Sequence, residues 1–144
     1  MRRLLIETRR TDPRIRTVAS DIVRTVPGKN WRGEITAIYD WVQKEIRYQL
    51  DPFDQELVQT PYQTMIRGYG DCDDHALLTA SLLDSLGHPT RFKAIGFAPG
   101  VLSHVYAETD CGGEWLALDT TEPHYVGWEP PGITEKPLVI FNRS

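Results

Sequence analysis

The chain has 144 residues, 40% of them hydrophobic and 25% charged, with a formal net charge of −4. This length predicts one domain that buries a core without staples, and the acidic balance gives no reason to expect nucleic acid or an anionic membrane as partner. Two cysteines exclude a disulfide scaffold, and no apolar run approaches the ~18 residues of a membrane span.

Arg2, Arg3, Arg9, Arg10, Arg14 and Arg16 crowd the start of the chain, which reads as a solvated tail and helix face. Leu4-Leu5-Ile6 is too short for a signal-peptide core and Glu7 interrupts it, so a cytoplasmic location is expected. Residues 2–9 read as a strand or an ordered arm. Asp12-Pro13 is a helix start, with Asp as N-cap and Pro in the first turn. Ile15, Val18, Ala19, Ile22 and Val23 continue it at helical spacing until Pro27-Gly28. A second helix is expected over 33–48, with Ile35, Ile38, Tyr39, Trp41, Val42 and Ile46 on its buried face and Asp51-Pro52 as its stop. Residues 51–70 form a connecting loop with a short helix near Thr60–Ile66. A connection of this length is uncommon unless functional.

That loop runs into Gly70-Asp71-Cys72-Asp73-Asp74-His75. Asp71 reads as an N-cap, Asp74 completes an acidic capping box, and Cys72 falls in the first turn. A thiol there feels unpaired N–H groups and the positive end of the helix dipole. Asp71, Asp73 and Asp74 work against it, because neighbouring carboxylates raise a thiol pKa. Capping explains two of them; either the carboxylates turn away from the sulfur, the favoured expectation, or they help bind a cationic group such as a lysine amine or a metal ion. Ala76, Leu77, Ala80, Leu83 and Leu86 are the expected buried stripe, small enough at the alanines for a sheet to approach, and Gly87 and Pro89 end the helix.

Three strands are expected next, Thr90–Phe97, His104–Thr109 and Glu114–Asp119, the last two joined at Asp110-Cys111-Gly112-Gly113. If Cys111-Gly112 form the loop, His104 and Asp119 face each other. If Gly112-Gly113 form it, they are diagonal neighbours. Either register keeps them on one face, with Cβ atoms of an opposite pair ~4.5–5.5 Å apart. After Thr121 the chain is rich in Pro and Gly, and Leu138–Phe141 is a candidate edge strand. A thiol at a helix start thus faces a carboxylate-oriented imidazole, the nucleophile–base–orienter arrangement of acyl transfer.

Gly70–Ala76, Leu86-Gly87-His88-Pro89, Arg91–Phe97, His104-Val105-Tyr106 and Glu114–Thr121 together resemble the transglutaminase-like superfamily, as do Trp41–Tyr48, Asp51-Pro52 and Thr60-Pro61 upstream. The resemblance runs over residues 35–121 and is closest to short phage and prophage members. It implies an α+β, papain-like domain whose nucleophile helix packs on an antiparallel sheet. The domain would span 1–144, with 1–50 helical and 71–144 carrying the catalytic helix and sheet. It implies Cys72 as nucleophile, His104 as general base and acid, Asp119 as orienter, and no cofactor or metal. The expected substrate is a protein or peptide amide or isopeptide, with hydrolysis favoured over cross-linking.

Taken singly, these residues have plainer roles: Cys72 a buried structural thiol, His104 a core histidine, Asp119 the start of a turn with Thr120-Thr121. Their joint arrangement outweighs those. His75 is a rival base, or a zinc ligand beside Cys72, but no CxxC or HExxH spacing supports zinc. His88 and His124 fall in turns and read as incidental. Cys111 lies ~24 Å along the strand from His104, too far for a bridge to Cys72. The Cys72 N–H is one oxyanion donor. For the second, Gln63 and Tyr69 lead, with Gln59 and Trp31 behind them, and Met65-Ile66-Arg67 stands where a papain-type glutamine would. The rival functions are a non-catalytic binding or assembly module of the same fold and, third, a metal-binding protein.

Overall fold

The computed structural model describes residues 12–50, 59–98, 100–134 and 137–141; the arm expected over 2–9 and the Asp51-Pro52 stop lie outside them. Helix α1, Pro13–Ile22, starts where the capping chemistry indicates: Asp12 accepts from the Arg14 N–H at 2.9 Å. It ends before Pro27-Gly28, its last turn closing through Val23, and buries Ile15 and Ala19. Helix α2, Trp31–Glu45, is capped by Asn30, which accepts from the Gly33 N–H. Gly33 allows this contact, since a Cβ there would lie 2.6 Å from the Asn30 amide.

Helix α2 stops short of the expected Tyr48. Ile46 turns extended, and Arg47–Tyr48, strand β1, pairs in parallel with Tyr69–Gly70, strand β2. The backbone groups released by the helix are taken up across that pair: Arg47 N–H donates to Gly68 O and Gln49 N–H to Gly70 O, each at 2.9 Å. Between the two strands lies α3, Pro61–Arg67. A full Thr60/Gln63 capping box starts it, and Gly68 ends it in the left-handed region at φ 74°.

Helix α4, Cys72–Ser85, is the centre of the molecule and is buried on two sides. Ala76, Leu77 and Ala80 meet Phe92, Ala94, Val105 and Ala107 of the sheet, while Leu78, Leu82 and Leu83 pack with Ile35, Ile38 and Val42 of α2 and Ile15 of α1. Each fully buried leucine contributes roughly 1.5–3 kcal/mol by leaving water. The sheet is antiparallel in the order β5-β4-β3-β6, from β3 Thr90–Ile95, β4 His104–Cys111, β5 Glu114–Leu118 and the edge strand β6 Leu138–Phe141.

The hairpin takes the second of the two registers. Ala107 pairs with Leu118 and Cys111 with Glu114, so Gly112-Gly113 is the loop. Both glycines have positive φ, 66° and 91°, which a two-residue turn matching strand twist requires.

The face of the sheet away from α4 is covered by the Pro/Gly-rich segment between β5 and β6. Gly127 N–H donates to Ala117 O at one edge and Thr134 N–H to Gly96 O near the other. Ile133 packs on Ile95, Tyr106 and Ala117. Glu129 accepts from the Tyr106 hydroxyl at 2.6 Å and from Lys93 at 2.8 Å, pinning the strap.

Candidate active site

The site forms where the first turn of α4 meets the end of β4. Asp71 accepts from the Asp74 N–H, and Asp74 accepts from the Asp71 N–H. Asp74 is buried and also receives the Gln59 N–H at 2.7 Å and the Gln59 amide at 3.1 Å. These donors tie the incoming chain to the helix start. Burial, and then the neighbouring Asp74 charge, raise the Asp71 pKa.

Gly70 fits this cap by having no side chain: a Cβ would sit 2.5 Å from the Asp74 Cβ. Gly70→Ala is expected to destabilise the protein by about 1–3 kcal/mol, read as a drop in the urea midpoint at constant m-value. An unchanged midpoint would mean that Asp74 is not packed there.

Asp71 and Asp74 thus point into the cap, as expected, but Asp73 does not turn away. Its Oδ1 lies 4.0 Å from the Cys72 sulfur. Asp73 adjoins the cysteine in the first turn, and the reciprocal cap is made by Asp71 and Asp74.

His104 opens β4. Its Nε2 donates to Asp119 Oδ2 at 2.8 Å, which leaves Nδ1 to meet the Cys72 thiol. Burial works against a charge on this ring, but hydrogen bonds to Asp119 and Cys72 overcome it and push its pKa up to about 10. The other carboxylate oxygen, Oδ1, accepts from the Thr121 hydroxyl at 2.7 Å and the Thr121 N–H at 3.2 Å. Burial alone would raise the Asp119 pKa; the bonds from His104 and Thr121 bring it below its ordinary value. The loop after β5 is fastened from both helices. The Tyr39 hydroxyl of α2 donates to Asp119 O at 3.2 Å, and His75 of α4 meets the Thr120 hydroxyl at 2.9 Å.

Beside the imidazole is an open cleft of about 180 Å³. Tyr48, Phe97, Trp128 and Pro130 form its apolar walls, and His104, Asp119, Thr121 and Glu122 supply its polar side. The strap over the sheet therefore builds one wall of the site.

A family model described as the transglutaminase-like superfamily matches residues 16–120. The chain belongs to the transglutaminase-like superfamily. Among solved structures, a Cytophaga hutchinsonii protein provisionally described as a cysteine protease has a TM-score of 0.64 at 21% identity, over 81% of this chain and 42% of that one. A provisionally described protease of Parabacteroides distasonis has a TM-score of 0.68 at 14% identity, over 80% and 25%. LapG of Legionella pneumophila, in its EGTA-treated form, has a TM-score of 0.66 at 17% identity, over 99% and 86%. The chain thus spans less than half the length of the first two and most of the third. At these identities the shared property is the fold. No curated protein sequence matches the chain.

Within this transglutaminase-like fold, Cys72, His104 and Asp119 converge. The two leading oxyanion residues have other surroundings. The Gln63 side chain accepts from the Thr60 N–H and so belongs to the cap of α3. Tyr69 pairs with Arg47, its carbonyl accepts from Gln59, and it does not line the cleft. Gln59 is held by Asp74, Tyr69 and Arg67.

His75 is buried with its nitrogens facing Thr120 and the Arg47 carbonyl, the latter at 3.4 Å, and burial lowers its pKa. It is therefore a neutral brace between α4, β1 and the Asp119 loop. His88 is not incidental: it is buried and joins Glu34 of α2 at 2.8 Å. His124 stacks on Trp128 at 3.5 Å and supports the cleft wall. Both cysteines are free.

Thr121 and Tyr48 were not anticipated as site residues. The signal for Thr121 was present, since Asp-Thr-Thr is an Asx-turn sequence; the turn and the orienting carboxylate are one device. Tyr48 had no signal, because a two-residue parallel bridge leaves no periodicity to read.

Proposed function

We propose that the protein is a cysteine-dependent peptidase or amidase acting on a protein or peptide amide. The observation that carries this reading is the His104 imidazole held between a buried carboxylate and the Cys72 thiol. Cys72 attacks the carbonyl carbon as a thiolate beside the imidazolium. The carbonyl π electrons move to oxygen as the S–C bond forms. When the C=O reforms, the C–N bond breaks and the His104 proton goes to the departing amine. Neutral His104 then takes a proton from water as it attacks the thioester and keeps it; as the C=O reforms, the S–C bond breaks, the acid leaves and the sulfur departs as thiolate, restoring the ion pair. Asp119 keeps Nε2 protonated throughout, so Nδ1 is the nitrogen that exchanges protons.

A pKa of about 10 supports a division of labour different from a simple base: the resting ring is already charged, stabilises the thiolate and is ready to act as acid. Water is the favoured acceptor because it is always present; a lysine amine in its place would give a cross-link.

The test is trapping with iodoacetamide near pH ~6.5, where an ordinary thiol is only about 1% ionised. Peptide mapping is expected to find Cys72 alkylated at least about tenfold faster than Cys111. Equal, slow labelling of both would favour a binding or assembly module that keeps the fold.

A further inference from the structure

Acyl transfer puts negative charge on the carbonyl oxygen, and donors aimed at that oxygen lower the barrier. The cap of α4 leaves one amide for this purpose. The Asp71 N–H goes to Asp74, and the Asp73 and Asp74 N–H groups go to Asp71. The Cys72 N–H has no backbone partner among the described residues, as befits the first residue of a helix. A second donor must come from a side chain, and the nearby glutamines Gln59 and Gln63 are committed elsewhere.

Three independent contacts place Tyr48 beside the start of α4 and the His104 side of the cleft. Its backbone pairs with Gly70, just before the cysteine loop. Its ring stands edge-on to His75, with centroids 6.1 Å apart, on the first turns of the same helix as Cys72. It lines the cleft with His104 and Asp119. Its hydroxyl meets no hydrogen-bond partner among the described residues.

We propose that the Tyr48 hydroxyl and the Cys72 backbone N–H together form the oxyanion hole. This rests on Cys72 acting as the nucleophile. Both groups donate hydrogen bonds to the oxygen while the S–C bond forms; neither gives up its proton, and both bonds weaken when the carbonyl is restored. Burial first, and then the Cys72 charge, raise the phenol pKa above its ordinary value, so the hydroxyl stays a donor across the working range.

The experiment compares two reactions of Cys72 in the whole chain. Acylation by p-nitrophenyl acetate passes through a tetrahedral oxyanion; alkylation by iodoacetamide does not. Tyr48→Phe removes one oxygen and keeps the ring on His75. It is expected to slow acylation about 10–10²-fold while alkylation stays within about twofold. Tyr48→His, which restores a donor, is expected to recover part of the loss. If Tyr48→Phe slows both reactions equally, Tyr48 positions the thiol and the proposal is wrong; if it slows neither while Cys72 remains selectively reactive, the donor lies elsewhere. Wild-type Cys72 that is acylated no faster than Cys111 overturns the nucleophile reading itself, and the oxyanion hole with it. A circular dichroism spectrum unchanged by either substitution separates these outcomes from unfolding.

Discussion

Replacing His104 with Ala is expected to lower the proposed peptide hydrolysis by about 10²–10⁴-fold, the range for losing a positioned acid–base group, and to slow alkylation of Cys72 near pH ~6.5 by about 10–10²-fold. Asp73 Oδ1 lies 4.0 Å from the sulfur, where its charge opposes the field of the helix dipole. The positive partner that offsets it is the imidazolium. His104→Ala also leaves a buried carboxylate oxygen of Asp119 without its donor, costing about 1–3 kcal/mol of stability. His104→Gln provides the control, since its amide can still donate to Asp119. It is expected to restore the melting temperature but not the reactivity of Cys72. Cys72 that keeps its full alkylation rate in both variants would mean that the imidazole does not activate it.

Asp119→Asn is expected to reduce kcat/KM at neutral pH by about 10–10³-fold and to move the alkaline limb of its pH profile. The limb marks loss of the His104 proton, which lies at about 10 in the intact site. The sign follows from the charges: Asp119⁻ raises the imidazole pKa, so removing that charge lowers it toward the ordinary ~6.5. The limb moves down in pH, although not all the way, because the hydrogen bond and charge of Cys72 also raise the imidazole pKa. Thr121 makes the substitution harsher than its size suggests. Its N–H and O–H both donate to Oδ1, so an asparagine oxygen keeps that place and the amide NH₂ is turned toward the protonated Nε2. Donor then meets donor, and the ring is driven to lose its proton. A limb that stays near its original pH would remove Asp119 from the mechanism.

The elements with strong local chemistry were legible from residues alone. Asp12-Pro13, Thr60-Pro61 and Asp71 through Asp74 announced three helix starts because capping is satisfied within four residues. Gly112-Gly113 was legible as one of two turns, and because both registers put the same residues on each face, the strand alternation does not choose between them. The end of α2 was not legible in the residues: apolar spacing continues to Ile46, and only the remote Tyr69-Gly70 backbone draws Arg47 and Tyr48 out of the helix. The role of His88 was hidden for the same kind of reason, since its partner Glu34 lies far away in sequence.

The sequence by itself determined the elements of the candidate site: a thiol in a capped first turn, an imidazole opening one strand and a carboxylate just past the end of its neighbour, and alanines where the helix must approach the sheet. Each depends on groups only a few residues apart, or on a strand period that a hairpin cannot alter. The tertiary structure decided which nitrogen of His104 faces the sulfur, which carboxylates leave it, and that Thr121, His75 and Tyr39 fasten the Asp119 loop. It also decided that Tyr48, rather than Gln63 or Tyr69, stands beside the cleft. Those outcomes turn on hydrogen bonds between segments distant in the chain, where many partners are chemically acceptable and only packing selects one.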